Sequence, residues 1–219
     1  MKMGECIFTS PSLSCFYSDH FVSYPDAIDL MMHTVSQITN KNQNNVLWFL
    51  EHDHLFTAGA SANKKDLINI PSCPIYNTDR GGQYTYHGPG QLIVYMMLDL
   101  HNLHHGFPDI KKFVASICRW LILSLKEFGA ECIADQENIG VWCNQKKIAS
   151  IGLKLKKWVT YHGIAINLNP DLTYFSYINP CGLQSTAISS LKNLGYEVKT
   201  RDLISQLIKH FPAIFEKES

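Results

Sequence analysis

The chain reads as an α+β protein: a single domain over 1–219 with a central mixed or antiparallel sheet flanked by helices. Three observations predict it. Helical periodicity is confined to three separated segments, near Ser23, after Pro108 and after Thr200. Between them lie short apolar or alternating runs that do not follow a strict β-α-β order. No internal repeat and no Pro/Gly/Ser-rich linker divides the 219 residues, which suffice for a substantial core.

Ser23-Tyr24-Pro25-Asp26 opens the first helix, with Ala27, Leu30, Met31 and Val35 on one face. The polar turn 40–45 follows, then a short apolar strand, Val46 to Leu50. His52 to Asn63 lacks periodicity and reads as loop. Gln91 to Leu98 is apolar enough for a strand covered on both faces. Pro108 and Asp109 begin the clearest helix: Ile110, Phe113, Ile117, Trp120, Leu121, Leu125 and Phe128 face inward and Gly129 stops it. Strands are expected at Cys132 to Ala134, Ile139 to Cys143, Lys147 to Leu155 and Trp158 to Leu168, the last two as a hairpin around Lys156-Lys157. Asn169-Pro170-Asp171 is a turn. Thr200 is the expected cap of a final helix with Leu203, Leu207, Ile208 and Phe211 inward.

Hydrophobic residues at 46% and charged residues at 17% fit a folded, water-exposed protein. A formal net charge of zero implies no general attraction to nucleic acid. No apolar run is long enough to span a bilayer. The N-terminal stretch has neither a secretory nor a transit pattern, so a cytoplasmic location is expected. Seven scattered cysteines without CxxC spacing argue against a disulfide framework and a structural zinc site. His52-Asp53-His54 and His101, His104 and His105 lack a supporting Cys pair or HExxH helix and read as exposed loop residues, so no metal is expected. Trp158 and Tyr161 read as packing residues. Lys146, Lys147, Lys154, Lys156 and Lys157 form either a solvated strand face or a docking patch for an acidic protein.

Two segments carry candidate chemistry. Arg80-Gly81-Gly82-Gln83-Tyr84-Thr85-Tyr86-His87-Gly88-Pro89-Gly90-Gln91 reads as a loop whose glycines let the backbone approach a ligand closely. It lacks phosphate-loop spacing. A bending turn is the competing reading, although a plain turn would need fewer glycines and no Arg or His; for His87 alone a hydrogen-bonded structural role weighs more than it does for the whole loop. Cys181, between Pro180 and Gly182, sits where a sharp turn would expose a thiol, although an inert buried thiol fits too. A nucleophilic thiolate needs a nearby charge or base. Lys147, where a polar turn enters an apolar strand, is the candidate, against the reading of one more surface lysine.

Taken in order, the Arg80–Gln91 segment, Lys147-Ile148-Ala149-Ser150-Ile151-Gly152, Tyr161-His162-Gly163-Ile164-Ala165-Ile166-Asn167 and Ile178-Asn179-Pro180-Cys181-Gly182 resemble the signatures of the lipoyl(octanoyl) transferase family. The resemblance covers roughly Val46 to Cys181. It implies a fold like that of the biotin and lipoate protein ligases. It also implies transfer of octanoate from acyl carrier protein to a lysine of lipoyl domains or of the glycine-cleavage H protein, with no ATP or other cofactor. Cys181 matches the acyl-thioester cysteine and Lys147 the lysine that activates it and acts as acid/base. Substrate contacts carry over to Arg80, Gly81, Gly82, Gln83, Tyr84, Thr85, Tyr86 and His87, to Ser150, Ile151 and Gly152, and to Gly163, Ile164 and Ala165. The Val141-Trp142-Cys143-Asn144 turn and the stretch after Gly182 depart from the family pattern. An ATP-dependent lipoate protein ligase and a non-catalytic carrier-protein-binding module are the competing expectations.

Overall fold

A computed structural model of the chain describes residues 2–69, 72–103, 109–135, 137–179 and 187–216. The elements run β1 (Glu5–Thr9), β2 (Leu13–Phe21), α1 (Tyr24–Thr39), β3 (Asn45–Glu51), β4 (Leu55–Ala58), β5 (Ile75–Asn77), β6 (Tyr84–His87), β7 (Gln91–Met97), α2 (Ile110–Lys126), β8 (Cys132–Asp135), β9 (Gly140–Cys143), β10 (Lys146–Lys156), β11 (Val159–Asn167) and α3 (Thr200–Phe215). Among the described residues, eight strands form one sheet in the order β1-β2-β3-β7-β11-β10-β9-β8, antiparallel except for the parallel β2–β3 pair. Three strands form a second sheet, β5-β4-β6. The expected class, a mixed sheet flanked by helices, is the architecture found.

The large sheet is covered on both faces because two of its central strands, β3 and β7, are apolar without a break from Val46 to Leu50 and from Leu92 to Met97. In β7, Leu92, Val94 and Met96 face a core closed by α2 and α3, while Ile93, Tyr95 and Met97 face one closed by α1. Strand β3 divides the same way, with Leu47 and Phe49 on one side and Val46, Trp48 and Leu50 on the other. A third, smaller cluster joins the second sheet to residues 172–178 through Phe56, Tyr86, Phe175 and Ile178.

Local chemistry sets the ends of these elements. The Ser23 hydroxyl accepts from the Asp26 N–H and caps α1, with proline in its first turn. Asp109 caps α2 by accepting from the Lys111 and Lys112 N–H groups. The hairpin between β10 and β11 turns at Lys157 and Trp158, whose φ of 49° and 65° match the twist of the strands they join.

Several expectations need correction. The stretch after His52 is not all loop: Leu55–Ala58 is a fully buried strand. Tyr84–His87, expected within a loop, is a strand paired to it in register, Leu55 against His87 through Ala58 against Tyr84. His52 is buried, not exposed. Trp158 is 38% exposed, with its edge against His101, and is not a core residue. Ile110, expected to face inward, is 37% exposed. Lys199, not Thr200, is the cap residue of α3, and no side chain caps that end. Strands β1 and β2 had no counterpart in the sequence reading. His104, His105, Pro108 and the Pro180-Cys181-Gly182 turn lie outside the described residues.

Trp120 of α2 is fully buried, meets Phe211 and Phe215 edge-on, and donates its indole N–H to the Leu207 carbonyl of α3 at 2.8 Å. Trp120→Ala should lower unfolding free energy in denaturant titrations by about 3–5 kcal/mol. Trp120→Phe, which keeps most of the packing, should cost clearly less. A loss below about 1 kcal/mol for the alanine variant would contradict the packing described.

Candidate active site

The candidate site begins as a groove in the face of the large sheet. On that face β10 presents Ser150 and Gly152, β11 presents Ala165 and Gly163 directly opposite them, and β7 continues the row with Ile93 and Tyr95. Four adjacent small residues leave a trough that larger side chains would fill. One of the two glycines is sterically required and the other is tightly placed. A Cβ at Gly163 would lie 1.9 Å from the Val94 carbonyl oxygen, inside the neighbouring strand. A Cβ at Gly152 would come within 3.1 Å of the Gly81 carbonyl oxygen and 3.2 Å of Arg80 Cδ.

Those last two atoms belong to the roof. The Arg80–Gly82 segment crosses the trough and donates the Gly81 N–H to the Leu153 carbonyl of β10 at 3.0 Å. On its other side it accepts from the Ala60 and Ser61 N–H groups. Arg80 is 8% exposed, and its guanidinium is spent inside the protein. Nε and Nη2 donate to Thr57 Oγ1 at 2.9 and 2.7 Å, Nη2 also to the Thr57 and Gln83 carbonyls at 2.7 Å, and Nη1 to the Gly81 carbonyl at 2.9 Å. The resulting cleft holds about 510 Å³, part of it continuous with solvent.

Behind the roof runs a buried polar chain. His87 Nδ1 meets Gln91 Oε1 at 2.7 Å, and Gln91 Nε2 donates to Asn167 Oδ1 at 2.8 Å. The amide oxygen only accepts, so the hydrogen-bond network assigns the His87 proton to Nδ1 and leaves Nε2 to accept from Thr57 Oγ1, 3.3 Å away. Asn167 Nδ2 donates to the Ser189 carbonyl at 2.9 Å, and the Ser189 N–H donates to the Lys147 carbonyl at 3.0 Å. One connected network therefore runs from Thr57 to the backbone of Lys147.

The imidazoles around the cleft are neutral. Burial, reinforced by His52 and Arg80, depresses His87 to about 3. Burial depresses His52 to about 4; its Nδ1–H donates to the Val22 carbonyl at 2.6 Å, and Tyr95 O–H donates to Nε2 at 2.7 Å. His162 is also lowered by burial, against the opposing pull of Asp79. It has φ +58°, a left-handed conformation unusual for a residue with a side chain. Neighbouring strand residues normally point to opposite faces; here Tyr161 and His162 both hydrogen-bond the Asp79 carboxylate.

Lys147 is 3% exposed, so it is not one of the surface lysines. Its Nζ lies 5.9 Å from the centre of the Trp142 ring. The Asn138 and Glu137 backbone N–H groups hold the Asp135 carboxyl below the usual range, with the Lys147 charge the smallest contributor. The Lys147 backbone also pairs with Ile188, beyond the 180–186 stretch. The described cysteines are free thiols. Burial pushes Cys118 up despite the nearby Lys147, and takes Cys15 and Cys132 to about 12, so these three stay protonated. Among the described residues no group of three or more His, Cys, Asp or Glu side chains could hold a metal ion. None of the helices described is long and apolar enough to cross a membrane.

Of the residues expected from sequence, Arg80, Gly81, Gly82, Thr85, His87, Ser150, Ile151, Gly152, Gly163, Ile164 and Ala165 line this one cleft. Gln83, Tyr84 and Tyr86 do not; Tyr86 packs into the third cluster against Tyr174 and Phe175. Tyr24, Ile93, Tyr95 and His162 line it without having been singled out. His162 lies inside a quoted motif, and the other three sit in runs that carry only a packing signal. Cys181, the expected nucleophile, lies outside the described residues.

The buried neutral histidines make stability depend on pH. Their folded pKa values lie below the 6.5 of the unfolded chain, so the stability they contribute is complete above about 6.5 and is lost as pH falls towards 4 and 3. Thermal melts should show a midpoint that falls over that window, with uptake of about two protons on unfolding near pH 5. His52→Gln should remove about one of them. A midpoint unchanged between pH 7 and 4.5 would contradict the neutral, buried assignment.

The chain is similar to known proteins in sequence and in fold. Relatives named octanoyltransferase include those of Bartonella tribocorum (38% identical, covering 96% of this chain and 90% of the relative) and Anaplasma phagocytophilum (41% identical, 90% and 96%). The fold matches lipoate-protein ligase A bound with ATP at a TM-score of 0.70 and 15% identity, over 94% of this chain and 85% of that one. It also matches the T. acidophilum protein Ta0514, a lipoate protein ligase structure with bound lipoic acid, at 0.66 and 14%, over 83% and 80%. Residues 23–212 match the lipoyl protein ligase A/B catalytic domain, and the chain belongs to that family.

Proposed function

We infer that the protein is an octanoyltransferase of protein lipoylation. It takes octanoate from acyl carrier protein and delivers it to a lysine of lipoyl domains or of the glycine-cleavage H protein, working in the cytoplasm as one catalytic domain over 1–219. The curated relatives of similar length support the reaction. The observation that carries the reading is the pairing of a trough floored by Ser150, Gly152, Gly163 and Ala165 with a buried lysine, Lys147, three residues along the same strand. A narrow trough with neutral histidines suits an uncharged alkyl chain, and a lysine beyond its end suits the polar chemistry of the carbonyl.

In the proposed mechanism the Lys147 ammonium favours the Cys181 thiolate, which attacks the carrier thioester carbonyl. The tetrahedral intermediate collapses to a Cys181 thioester, and the departing carrier thiolate takes its proton from Lys147. The acceptor amine then attacks the acyl-enzyme and its surplus proton passes to the now neutral Lys147. Collapse forms the amide and returns Cys181 as thiolate. No ATP is consumed, because thioester to amide runs downhill. This separates the reading from an ATP-dependent ligase. The ligase structure bound with ATP shares 15% identity with this chain and supports only a shared fold.

Incubation with octanoyl carrier protein should add one octanoyl mass to the protein, mapped by peptide sequencing to Cys181. Cys181→Ser should abolish transfer. Lys147→Ala should reduce it by at least about a hundredfold and slow iodoacetamide alkylation of Cys181 at neutral pH. Full transfer by Cys181→Ser would exclude the covalent route, and an unchanged alkylation rate would remove Lys147 from thiol activation.

A further inference from the structure

The cleft does not end in solid protein. A second space of about 580 Å³, part of it continuous with solvent, lies beside it, bounded by Ile28, Met31 and Met32 of α1 and by the 77–79 segment, and two residues line both spaces: Tyr24 and His162. Both are held firmly. Tyr24 is 5% exposed, stacked on Tyr76 at 5.0 Å and set edge-on to His52 at 5.5 Å. The His162 side chain is 4% exposed and anchored to Asp79 at 3.0 Å.

The sheet register orders these features along one axis. Lys147 stands at the start of β10, then come the floor pairs Ser150–Ala165 and Gly152–Gly163, then Leu153 opposite His162. From Ser150 to Leu153 is three strand residues, about 10 Å. An extended eight-carbon chain is of comparable length. With the carbonyl over Ser150, on the side of Lys147, its terminal methyl group would reach the two rings.

We propose that Tyr24 and His162 form the end stop that sets acyl chain length, and that the second cavity is the space into which a longer chain would run once the imidazole is removed. This rests on the acyl-transfer reading above and adds the substrate range to it. Ile28, Met31 and Met32 supply an apolar wall for the added methylenes, which Met side chains follow readily because they are unbranched. The left-handed backbone at His162 makes the stop testable. Glycine adopts φ +58° without strain, so His162→Gly deletes the ring while easing the backbone. Asparagine also tolerates this conformation and provides a shorter polar side chain.

The test is acyl-enzyme formation from octanoyl and dodecanoyl carrier protein, followed by intact mass. Wild-type protein should favour the octanoyl carrier. His162→Gly should shift the dodecanoyl-to-octanoyl rate ratio upward by at least about tenfold, the scale on which a pocket discriminates methylenes. His162→Asn should shift it in the same direction by less. Adding Met32→Trp to the glycine variant refills the second cavity and should restore the wild-type ratio. Octanoyl adducts that form with an unchanged ratio in both His162 variants would overturn the stop, as would a shifted ratio that Met32→Trp leaves in place. Wild-type protein that gains no adduct from either carrier would overturn the acyl-transfer reading, and the stop with it.

Discussion

The buried guanidinium of Arg80 is the contact on which the site depends. It donates to a side-chain oxygen and three backbone carbonyls contributed by Thr57, Gly81 and Gln83. A charge removed from water is tolerable only when its donors are satisfied in this way. The planar fork matches oxygens spread over two segments, which the single ammonium of a lysine cannot do. Without it, the Arg80–Gly82 roof would lose its side-chain tie to Thr57 of β4, leaving backbone contacts such as those to Ala60, Ser61 and Leu153 and the Arg80 N–H bond to Thr78 Oγ1. The small sheet and the large sheet meet across this residue, and the cleft is the space left between them.

The floor follows from a different constraint. A sheet face can be grooved only where facing side chains are small on adjacent strands, and the register supplies two such pairs side by side. Gly163 answers to the β7 backbone and Gly152 to the roof. The polar chain from Thr57 through His87, Gln91 and Asn167 to Ser189 then fixes the roof side relative to the strand that carries Lys147. Fully satisfied networks of this kind hold one geometry, since any slip strands a buried donor or acceptor.

Much of the fold was legible because its signals are local. The apolar run of β7, capping of α1 and α2, and the hairpin near Lys156 each depend on a few neighbouring residues. What was missed depends on distant partners. Leu55–Ala58 is a four-residue strand, too short to show a period, and is identified by its pairing with Tyr84–His87. The burial of His52 follows from Val22 and Tyr95, 30 and 43 residues away. Lys147 belongs by sequence to a run of lysines, yet its strand register places it inside while Lys154, Lys156 and Lys157 remain outside. The motif residues at the site could be quoted from sequence, but their division into floor, roof and wall required the register. Tyr86 shows the converse: it lies within a matching motif, and its ring serves the packing of the third cluster.

The most direct test of this account is a crystal structure of the protein loaded with octanoate from its carrier. The account predicts continuous density from a thioester on Cys181, with the carbonyl at the Lys147 end and the alkyl chain crossing Gly152 and Gly163 beneath Arg80 and Gly81. Its terminal methyl group should rest against Tyr24 and His162. A chain lying elsewhere on the protein, or one running in the opposite direction, would contradict it.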